Sequence, residues 1–252
     1  MSYLYMFQNG RIVLKNGVVP DKTDAALFGG MFAASGAVDR QEPDGDLWAE
    51  LKGGAALPSG FEPRERRGLW PTVDETQFFR IAKAFHYMDW RRTHKFCAAC
   101  GTPAVFDEKE FAMRCPKCGE LFYPWISPAV IVAVERDGRL LMGHGVNFPA
   151  GRYSVLAGFV EPGESLEQCV AREVFEESQI RVKNIRYFAS QPWAFPHSLM
   201  LGFTAEWAGG EIVPQTSEVS DVRWFAPDEI TNYYRGVSIS AKLIENFLSS
   251  HS

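Results

Sequence analysis

The sequence lacks long apolar runs, since no stretch approaches the roughly 18 consecutive apolar residues that a membrane-spanning helix needs. The N-terminal segment MSYLYMFQNG also lacks the basic region and apolar core of a secretory signal. An excess of one charge is missing too, because a net charge of −5 over 252 residues is mild and argues against a protein that coats polyanions. We therefore expect a soluble, untargeted, cytoplasmic protein that makes no membrane contact.

Cysteine is scarce, with five residues in the chain. Four of them form two CxxC pairs, Cys97 with Cys100 and Cys115 with Cys118, and the fifth, Cys169, is expected to be a small core residue. Such pairs favour metal binding in a reducing compartment over a disulfide framework. Four thiolates at this spacing fill a tetrahedral Zn²⁺ shell, which predicts a structural zinc ribbon over residues 94–122; a redox CxxC pair is the alternative.

The first 93 residues carry signals for both strands and a helix. Turn dipeptides at Asn9-Gly10 and Asn16-Gly17 separate short apolar runs and predict hairpins. The apolar spacing over residues 74–92 predicts a helix capped near Asp74. We expect a small mixed α+β domain over residues 1–93 with a scaffold or dimerisation role. Basic residues around this helix form either a solvated face or a phosphate or RNA contact.

Strand and helix signals are interleaved over residues 123–252. The apolar run 128–134, a turn at Asp137-Gly138 and the run 139–142 predict a buried strand and its antiparallel return. Further strands are predicted over residues 182–190, 198–207 and 222–225, and a closing helix over 238–248. The fold class is therefore α/β, with a mixed sheet between helices.

A cluster of carboxylates follows a glycine-containing loop in this region. Glu173, Glu176 and Glu177 stand at i, i+3 and i+4, so they share one arc of a helix. Ser165 and Gln168 have the spacing of a capping box, which predicts where the helix begins. Neighbouring carboxylates repel one another, and a hard divalent cation relieves that repulsion. A solvated acidic face is the alternative interpretation.

The spacing of this stretch resembles a known motif. Gly158, Glu164, Arg172, the three glutamates and Ile180 together resemble the Nudix box of the nucleoside-diphosphate-linked hydrolases. The resemblance implies a Nudix α/β/α sandwich that uses Mg²⁺ or Mn²⁺. Gln179 departs from the pattern, because the family has Gly at this helix end, where a left-handed residue is usual.

A second motif, SQPWAFPHS, occupies residues 190–198. Two prolines and two aromatic residues make it stiff, which suits either a recognition loop that stacks on planar rings or a turn that packs into the core. The motif resembles the signature of the NADH pyrophosphatase and NAD-cap RNA decapping subfamily, which also carries a four-Cys zinc ribbon and pairs its subunits. Ala194 stands where the subfamily usually has Pro.

The resemblance implies a role for each matching residue. The catalytic metal ligands are the carbonyl of Ala157 and the carboxylates of Glu173, Glu176, Glu177 and Glu218. The substrate contacts are Tyr123, Phe159, Gln191, Pro192, Trp193, Ala194, Phe195, Pro196, His197, Ser198 and the backbone of Ala241. Glu177 is expected to be an essential ligand or base. Glu164 and Arg172 are expected to form a pair that ties the loop to the helix.

The implied reaction is hydrolysis of the pyrophosphate bond of NAD(H), or of the NAD cap at an RNA 5′ end, by a homodimer. A broader Nudix activity on ADP-ribose or dinucleoside polyphosphates is the nearest alternative. Zinc-dependent hydrolysis at the ribbon is a further one, although four thiolates leave no water site. A nonenzymatic RNA-binding zinc ribbon is the last, and the mild net charge argues against it.

Overall fold

The structure is a computed structural model that describes residues 2–42, 44–70, 72–213 and 219–251. It divides into two compact units, the first made of residues 1–125 with 194–197 and the second of residues 126–193 with 198–252. None of the helices in the described ranges combines the length and the apolarity that crossing a membrane requires.

A five-stranded sheet forms the first part of the first unit. Its strands are β1 (Leu4–Gln8), β2 (Arg11–Lys15), β3 (Phe32–Ala37), β4 (Leu47–Leu51) and β5 (Phe61–Arg64), in the order β3-β4-β1-β2-β5. Strands β1 and β4 are parallel and the other neighbours antiparallel. Asn9 (φ 51) and Gly10 (φ 79) form the tight turn between β1 and β2 with the positive φ angles that a two-residue type I′ hairpin requires, so the predicted hairpin is confirmed.

Helix α1 (Glu75–Thr93) packs on strands β1 and β4 of this sheet. The side chain of Asp74 accepts a hydrogen bond from the backbone N–H of Gln77 at 2.8 Å and caps the helix. The buried face contains Phe78, Ile81 and Phe85, as the apolar spacing predicts. The predicted helix is therefore confirmed together with its cap.

A small ribbon follows the helix. Strands β6 (Val105–Asp107), β7 (Ala112–Arg114) and β8 (Leu121–Phe122) form an antiparallel sheet. In each CxxC turn the glycine after the second cysteine donates its N–H to the carbonyl of the first cysteine, Gly101 to Cys97 at 2.9 Å and Gly119 to Cys115 at 3.0 Å. Both glycines have positive φ, which explains their place in these turns.

The second unit is built on one mixed sheet. Its strands are β9 (Ser127–Arg136), β10 (Arg139–Gly145), β11 (Leu156–Phe159), β12 (Arg181–Trp193), β13 (Ser198–Gly209) and β14 (Val219–Phe225). The order is β12-β13-β9-β10-β14, and β11 pairs with β9. The β9–β13 pair is parallel and the other pairs are antiparallel.

Helices α2 (Leu166–Ser178) and α3 (Ile239–Ser250) cover opposite faces of this sheet. Alternate residues of β9 divide between two apolar clusters: Val130 and Val132 join Val174 of α2, whereas Ile131 joins Ile244 of α3. Because successive side chains of a strand point to opposite faces, each helix has its own core. The predicted α/β/α sandwich is confirmed.

Strand β12 runs farther than the sequence predicts. The expected strand ends at residue 190, but pairing with β13 continues through Gln191, Pro192 and Trp193. Pro192 fits because β12 lies at the edge of the sheet, where a residue without an N–H is tolerated. The expected loop over residues 190–198 is therefore shortened to a turn of four residues, Ala194–His197.

The capping box at the start of α2 makes a local stability test. Ser165 Oγ accepts from the N–H of Gln168 at 3.2 Å, so Ser165→Ala should destabilise the first turn by about 1 kcal/mol. Amide hydrogen exchange measured by mass spectrometry should speed up there about fivefold. Ser249→Ala, at an exposed position in α3, is the control and should leave α2 unchanged. Equal exchange in the parent and Ser165→Ala would show that the cap contributes nothing.

Candidate functional site

The four paired cysteines converge in the ribbon. Their ligand atoms all lie within 4.8 Å of one another. Measured Sγ separations are 3.6 Å for Cys97–Cys118, 3.5 Å for Cys100–Cys115 and 3.7 Å for Cys100–Cys118. A tetrahedral ion with Zn–S bonds of about 2.3 Å requires sulfurs about 3.8 Å apart, so the cluster fits the predicted structural zinc. All five cysteines are free thiols in this structure.

At Gly158, strand β11 lies very close to the acidic face of helix α2. A Cβ placed on Gly158 would stand 1.8 Å from Cδ of Glu173. Gly158 has no positive φ, so the close approach of the carboxylate, and not the backbone conformation, requires glycine at this position. The motif glycine therefore has a direct steric reason.

The guanidinium of Arg172 is the centre of the acidic face. It binds Glu164 through Nε to Oε1 at 2.5 Å and through Nη2 to Oε2 at 3.0 Å. Nη1 donates to both Glu173 and Glu176, each at 2.9 Å, and Nη2 donates to the carbonyl of Phe159 at 2.9 Å. The predicted pairing of Glu164 with Arg172 is confirmed, and it is one part of a larger network.

The network changes the electrostatics of its members. Hydrogen bonds from Arg172 lower the pKa of Glu164 to about 2, and the same carboxylates raise the pKa of Arg172 above its ordinary value. Glu177, on the same helix, is 8% exposed. A carboxylate at that depth requires compensating polar or charged groups.

Cys169 lies beneath this network, with Sγ 3.4 Å from the carbonyl of Phe159. Burial raises the pKa of the Cys169 thiol to about 12, so the thiol stays protonated at neutral pH and is unreactive. The expectation of a core residue is confirmed.

The ligand set for a catalytic cation is only partly described. Within the described ranges, the four cysteines are the one group of three or more whose ligand atoms lie within 4.8 Å of one another. Glu173 and Glu176 are both bound to Nη1 of Arg172, so an entering cation competes with the guanidinium for them. Ala157 is half-buried in β11, and Glu218 lies outside the described residues. The donor set is nevertheless made of oxygens, which hard cations prefer.

The end of α2 keeps the left-handed geometry of the motif, although Gln179 stands where the motif has Gly. Gln179 adopts the left-handed conformation at φ 63, which the family's Gly would adopt without strain. Its backbone N–H donates to the carbonyl of Phe175 at 2.7 Å, and its side-chain Nε2 donates to the same oxygen at 3.1 Å. These two bonds offset the strain of roughly 1 kcal/mol in a non-glycine residue.

Gln191 has a structural task that the sequence did not indicate. Its side chain is buried, with Nε2 donating to the carbonyl of Val237 at 2.6 Å and Oε1 accepting from the N–H of Ile239 at 2.8 Å. The amide thus fixes the start of α3, where the N–H of Ala241 donates to Ser238 Oγ at 3.3 Å. Substrate contacts at Gln191 and Ala241 stay predictions, and they must share groups that already bond within the protein.

The turn Ala194–His197 packs within the first unit. Arg66 Nη1 donates to the carbonyl of Ala194 at 2.7 Å, and the guanidinium groups of Arg66 and Arg67 both lie 4.9 Å from the ring centroid of Phe195. The ring of His197 lies 5.5 Å from that of Trp125. The sequence signalled Arg66 and Arg67 only as members of a basic cluster.

The remaining predicted substrate residues differ in exposure. Phe159 is 59% exposed at the end of β11, and Tyr123 is 54% exposed beside the ribbon. Exposed aromatic rings are available to stack on a planar ligand. Trp193 is partly buried and Pro192 and Pro196 are exposed, and Ser198 begins β13.

Two family descriptions match the chain. The NUDIX domain matches residues 125–247, and the NADH pyrophosphatase zinc ribbon domain matches residues 92–123. A crystal structure of a NUDIX hydrolase from Nitrosomonas europaea superposes with a TM-score of 0.54 at 26% identity, covering 62% of this chain and 91% of that one.

Relatives match over a longer part of the chain than these two domains together. The "NAD-capped RNA hydrolase NudC" of Pseudomonas putida is 48% identical over 200 residues, which are 79% of this chain and 72% of that protein. Proteins of the same name from Pseudomonas syringae pv. tomato and Stutzerimonas stutzeri are 48% and 49% identical over 71% and 73% of this chain. These matches span 64% and 66% of the two relatives, slightly under two thirds of their length.

The sulfur cluster predicts a metal-binding test. Cys118→Ser removes one of four thiolates, so zinc per chain, measured by elemental analysis of purified protein, should fall from about one to near zero. Cys169→Ser changes the cysteine outside the cluster and should retain the zinc. Full zinc content in Cys118→Ser would contradict the four-thiolate assignment.

The lowered pKa of Glu164 predicts a pH dependence of stability. A carboxyl whose pKa is about 2 when folded and about 4.3 when unfolded stabilises the fold above pH ~4.3, and this stabilisation disappears as the pH falls toward 2. The stability difference between the parent and Glu164→Gln, from urea unfolding, should therefore be largest near pH 6 and shrink below pH ~4. Glu167→Gln, an exposed acid on α2, is the control. A difference independent of pH would rule out the ionised pair.

Proposed function

This chain belongs to the NUDIX family, in the group that carries the NADH pyrophosphatase zinc ribbon, and we propose that it hydrolyses a pyrophosphate bond in NAD(H) or in the NAD cap of RNA. The products are AMP with NMN from NAD⁺ or NMNH from NADH, or NMN and a 5′-monophosphate RNA. The observation that carries the proposal is the acidic face of α2, held by Arg172 against the carbonyl end of β11. The names of the NudC relatives support the choice of substrate.

The catalytic chemistry is proposed to depend on a divalent cation. Mg²⁺ or Mn²⁺, when bound, neutralises phosphate oxygens and lowers the pKa of the attacking water. The proposed ligands are the Ala157 carbonyl and the carboxylates of Glu173, Glu176, Glu177 and Glu218. All five offer oxygen, the donor that these ions prefer.

The chain's own residues prepare this chemistry. Arg172 fixes Glu173 and Glu176 relative to the loop, so little reorganisation is needed when substrate arrives. Glu177 is buried, and electrostatic interactions are stronger in such a low-dielectric position. We assign Glu177 as an essential ligand or as the base that accepts a proton from the attacking water.

Substrate recognition is proposed to use exposed rings. Phe159 and Tyr123 are each exposed aromatic rings of the kind that stacks on a nicotinamide or adenine ring. The residues of the turn Ala194–His197, which Arg66 fixes, are proposed as further substrate contacts. We further propose a homodimer in the cytoplasm, where a reducing medium keeps the zinc thiolates intact.

A comparison of substrates tests the proposal. Initial rates with NADH, ADP-ribose and a short NAD-capped RNA, at equal Mn²⁺ and then equal Mg²⁺, should favour the two nicotinamide substrates. A preference for ADP-ribose would assign a broader Nudix activity instead. No hydrolysis of any of them with either metal would refute the enzyme.

Glu177→Gln should lower kcat by about 10²–10⁴-fold, because the amide neither binds a cation strongly nor accepts a proton. Thermal unfolding and zinc content should stay close to the parent values. Glu167→Gln removes an exposed carboxylate from the same helix and should keep parental activity. An active Glu177→Gln enzyme would remove Glu177 from the mechanism.

A further inference from the structure

A cavity of about 590 Å³ lies in the first unit, lined by none of the residues assigned to hydrolysis. Its walls come from β3 and β4, from α1 and from the ribbon around β6. This volume lies in the range of small-molecule sites. Four groups in its lining decide what it can bind: two arginines, two acids, a set of aromatic rings and one glycine.

Arg91 is held in the cavity wall by stacking. Its guanidinium lies 5.3 Å from the ring centroid of Trp48 and 4.3 Å from that of Phe106, and Nη1 donates to the carbonyl of Ser35 at 3.2 Å. Contacts to ring faces fix the plane of the group and leave N–H donors along its edge. No carboxylate in the described ranges forms an ion pair with Arg91. Burial lowers the pKa of Arg91, and the nearby charge of Glu108 opposes this shift only in part, so the cation is partly desolvated and a bound anion would offset that cost.

Gly36 keeps the space around this guanidinium open. A Cβ at Gly36 would stand 3.1 Å from Arg91 Nη1 and 3.0 Å from Trp48 Nε1. The φ of Gly36 is not positive, so its backbone conformation does not demand glycine. The absence of a side chain at Gly36 thus keeps the space around Arg91 open.

The acids of the lining form no ion pair with its two arginines in the described part of the chain. Arg40 is exposed, donates Nη2 to the carbonyl of Lys109 at 2.5 Å and forms no ion pair in the described part of the chain. Asp39 is engaged by Lys83 at 3.1 Å. Glu108 is the other acid of the lining, and it supplies an acceptor for hydroxyl or amino groups.

Two further rings form an aromatic part of the wall. Tyr87 and Phe111 are partly buried and pack edge to face, with ring centroids 5.0 Å apart. Phe111 holds φ at 55, a left-handed conformation that a bulky side chain rarely adopts. Strained residues of this kind gather at binding sites, where surrounding contacts fix them.

We propose that this cavity binds a nucleoside phosphate, with the phosphate on Arg40 and Arg91 and the base against Tyr87 and Phe111. Fixed guanidinium donors beside aromatic rings match an anion joined to a planar ring. The ligand is either a free mononucleotide or one nucleotide of an RNA strand, because both present the same groups. The site goes beyond the proposed hydrolysis and does not depend on it, since it concerns binding alone.

Isothermal titration of the full chain with AMP tests the site. The buffer contains no added Mg²⁺ or Mn²⁺ and no chelator, so that the ribbon keeps its zinc. Arg40→Gln and Arg91→Gln should each weaken AMP binding about tenfold or more, because each removes a charged hydrogen bond to phosphate. Arg92→Gln, which removes the neighbouring arginine paired with Asp89, should stay within about twofold of the parent. Arg40 is exposed, so Arg40→Gln should fold even if Arg91→Gln does not.

Two more ligands test whether the site binds a free mononucleotide or an RNA strand, and whether the base takes part in binding. A 5′-phosphorylated RNA tetranucleotide that binds more tightly than AMP, with the same sensitivity to Arg40→Gln, assigns the site to an RNA strand; tighter AMP assigns it to a free mononucleotide. Ribose 5-phosphate binding as tightly as AMP would remove the base from the site and overturn the proposal. The proposal also fails if neither AMP nor RNA binds at millimolar concentration, or if their affinity is unchanged in Arg40→Gln.

Discussion

The acidic face of the second unit depends on one guanidinium group, that of Arg172. Arg172 binds Glu164, Glu173, Glu176 and the carbonyl of Phe159 at once, so a single cation opposes the mutual repulsion of three carboxylates. The loop after β11 and the helix α2 are thereby held as one piece. The local charge remains negative, since three acids surround one base. This residual charge favours the divalent cation that we propose for this face.

Apolar packing explains how helix α2 tolerates the repulsion between its carboxylates. Alternate residues of β9 supply two separate cores, and Val170 and Val174 anchor α2 in one of them. The helix therefore cannot turn its acidic face away from the loop without exposing buried apolar surface. On the opposite face, Gln191 fastens the start of α3 through two hydrogen bonds. Apolar packing thus holds α2 on one face of the sheet. The buried amide of Gln191 holds the start of α3 on the other face.

The elements set by short-range chemistry were predictable from the sequence. The caps of α1 and α2 and the β1–β2 hairpin follow from residues a few positions apart, and the four-thiolate cluster follows from two CxxC pairs. The end of β12 was not, because a proline marks a loop unless the strand is known to lie at an edge. The bond from Arg66 to Ala194 joins residues 128 positions apart, and the cavity around Arg91 is assembled from three distant segments. Contacts between residues so far apart in the chain leave no local sequence pattern from which they could be predicted.

The turn Ala194–His197 has a consequence for how this protein can be divided. Its four residues group with the first unit, although the strands on either side of them belong to the second. The polypeptide therefore passes from one unit to the other three times, and no single cut in the backbone separates them. A gene fragment beginning at residue 126 would carry Phe195 without the arginines that face its ring. The two units are thus poor candidates for exchange by recombination at one junction, and an engineered chimera needs to transfer the arginines together with the turn.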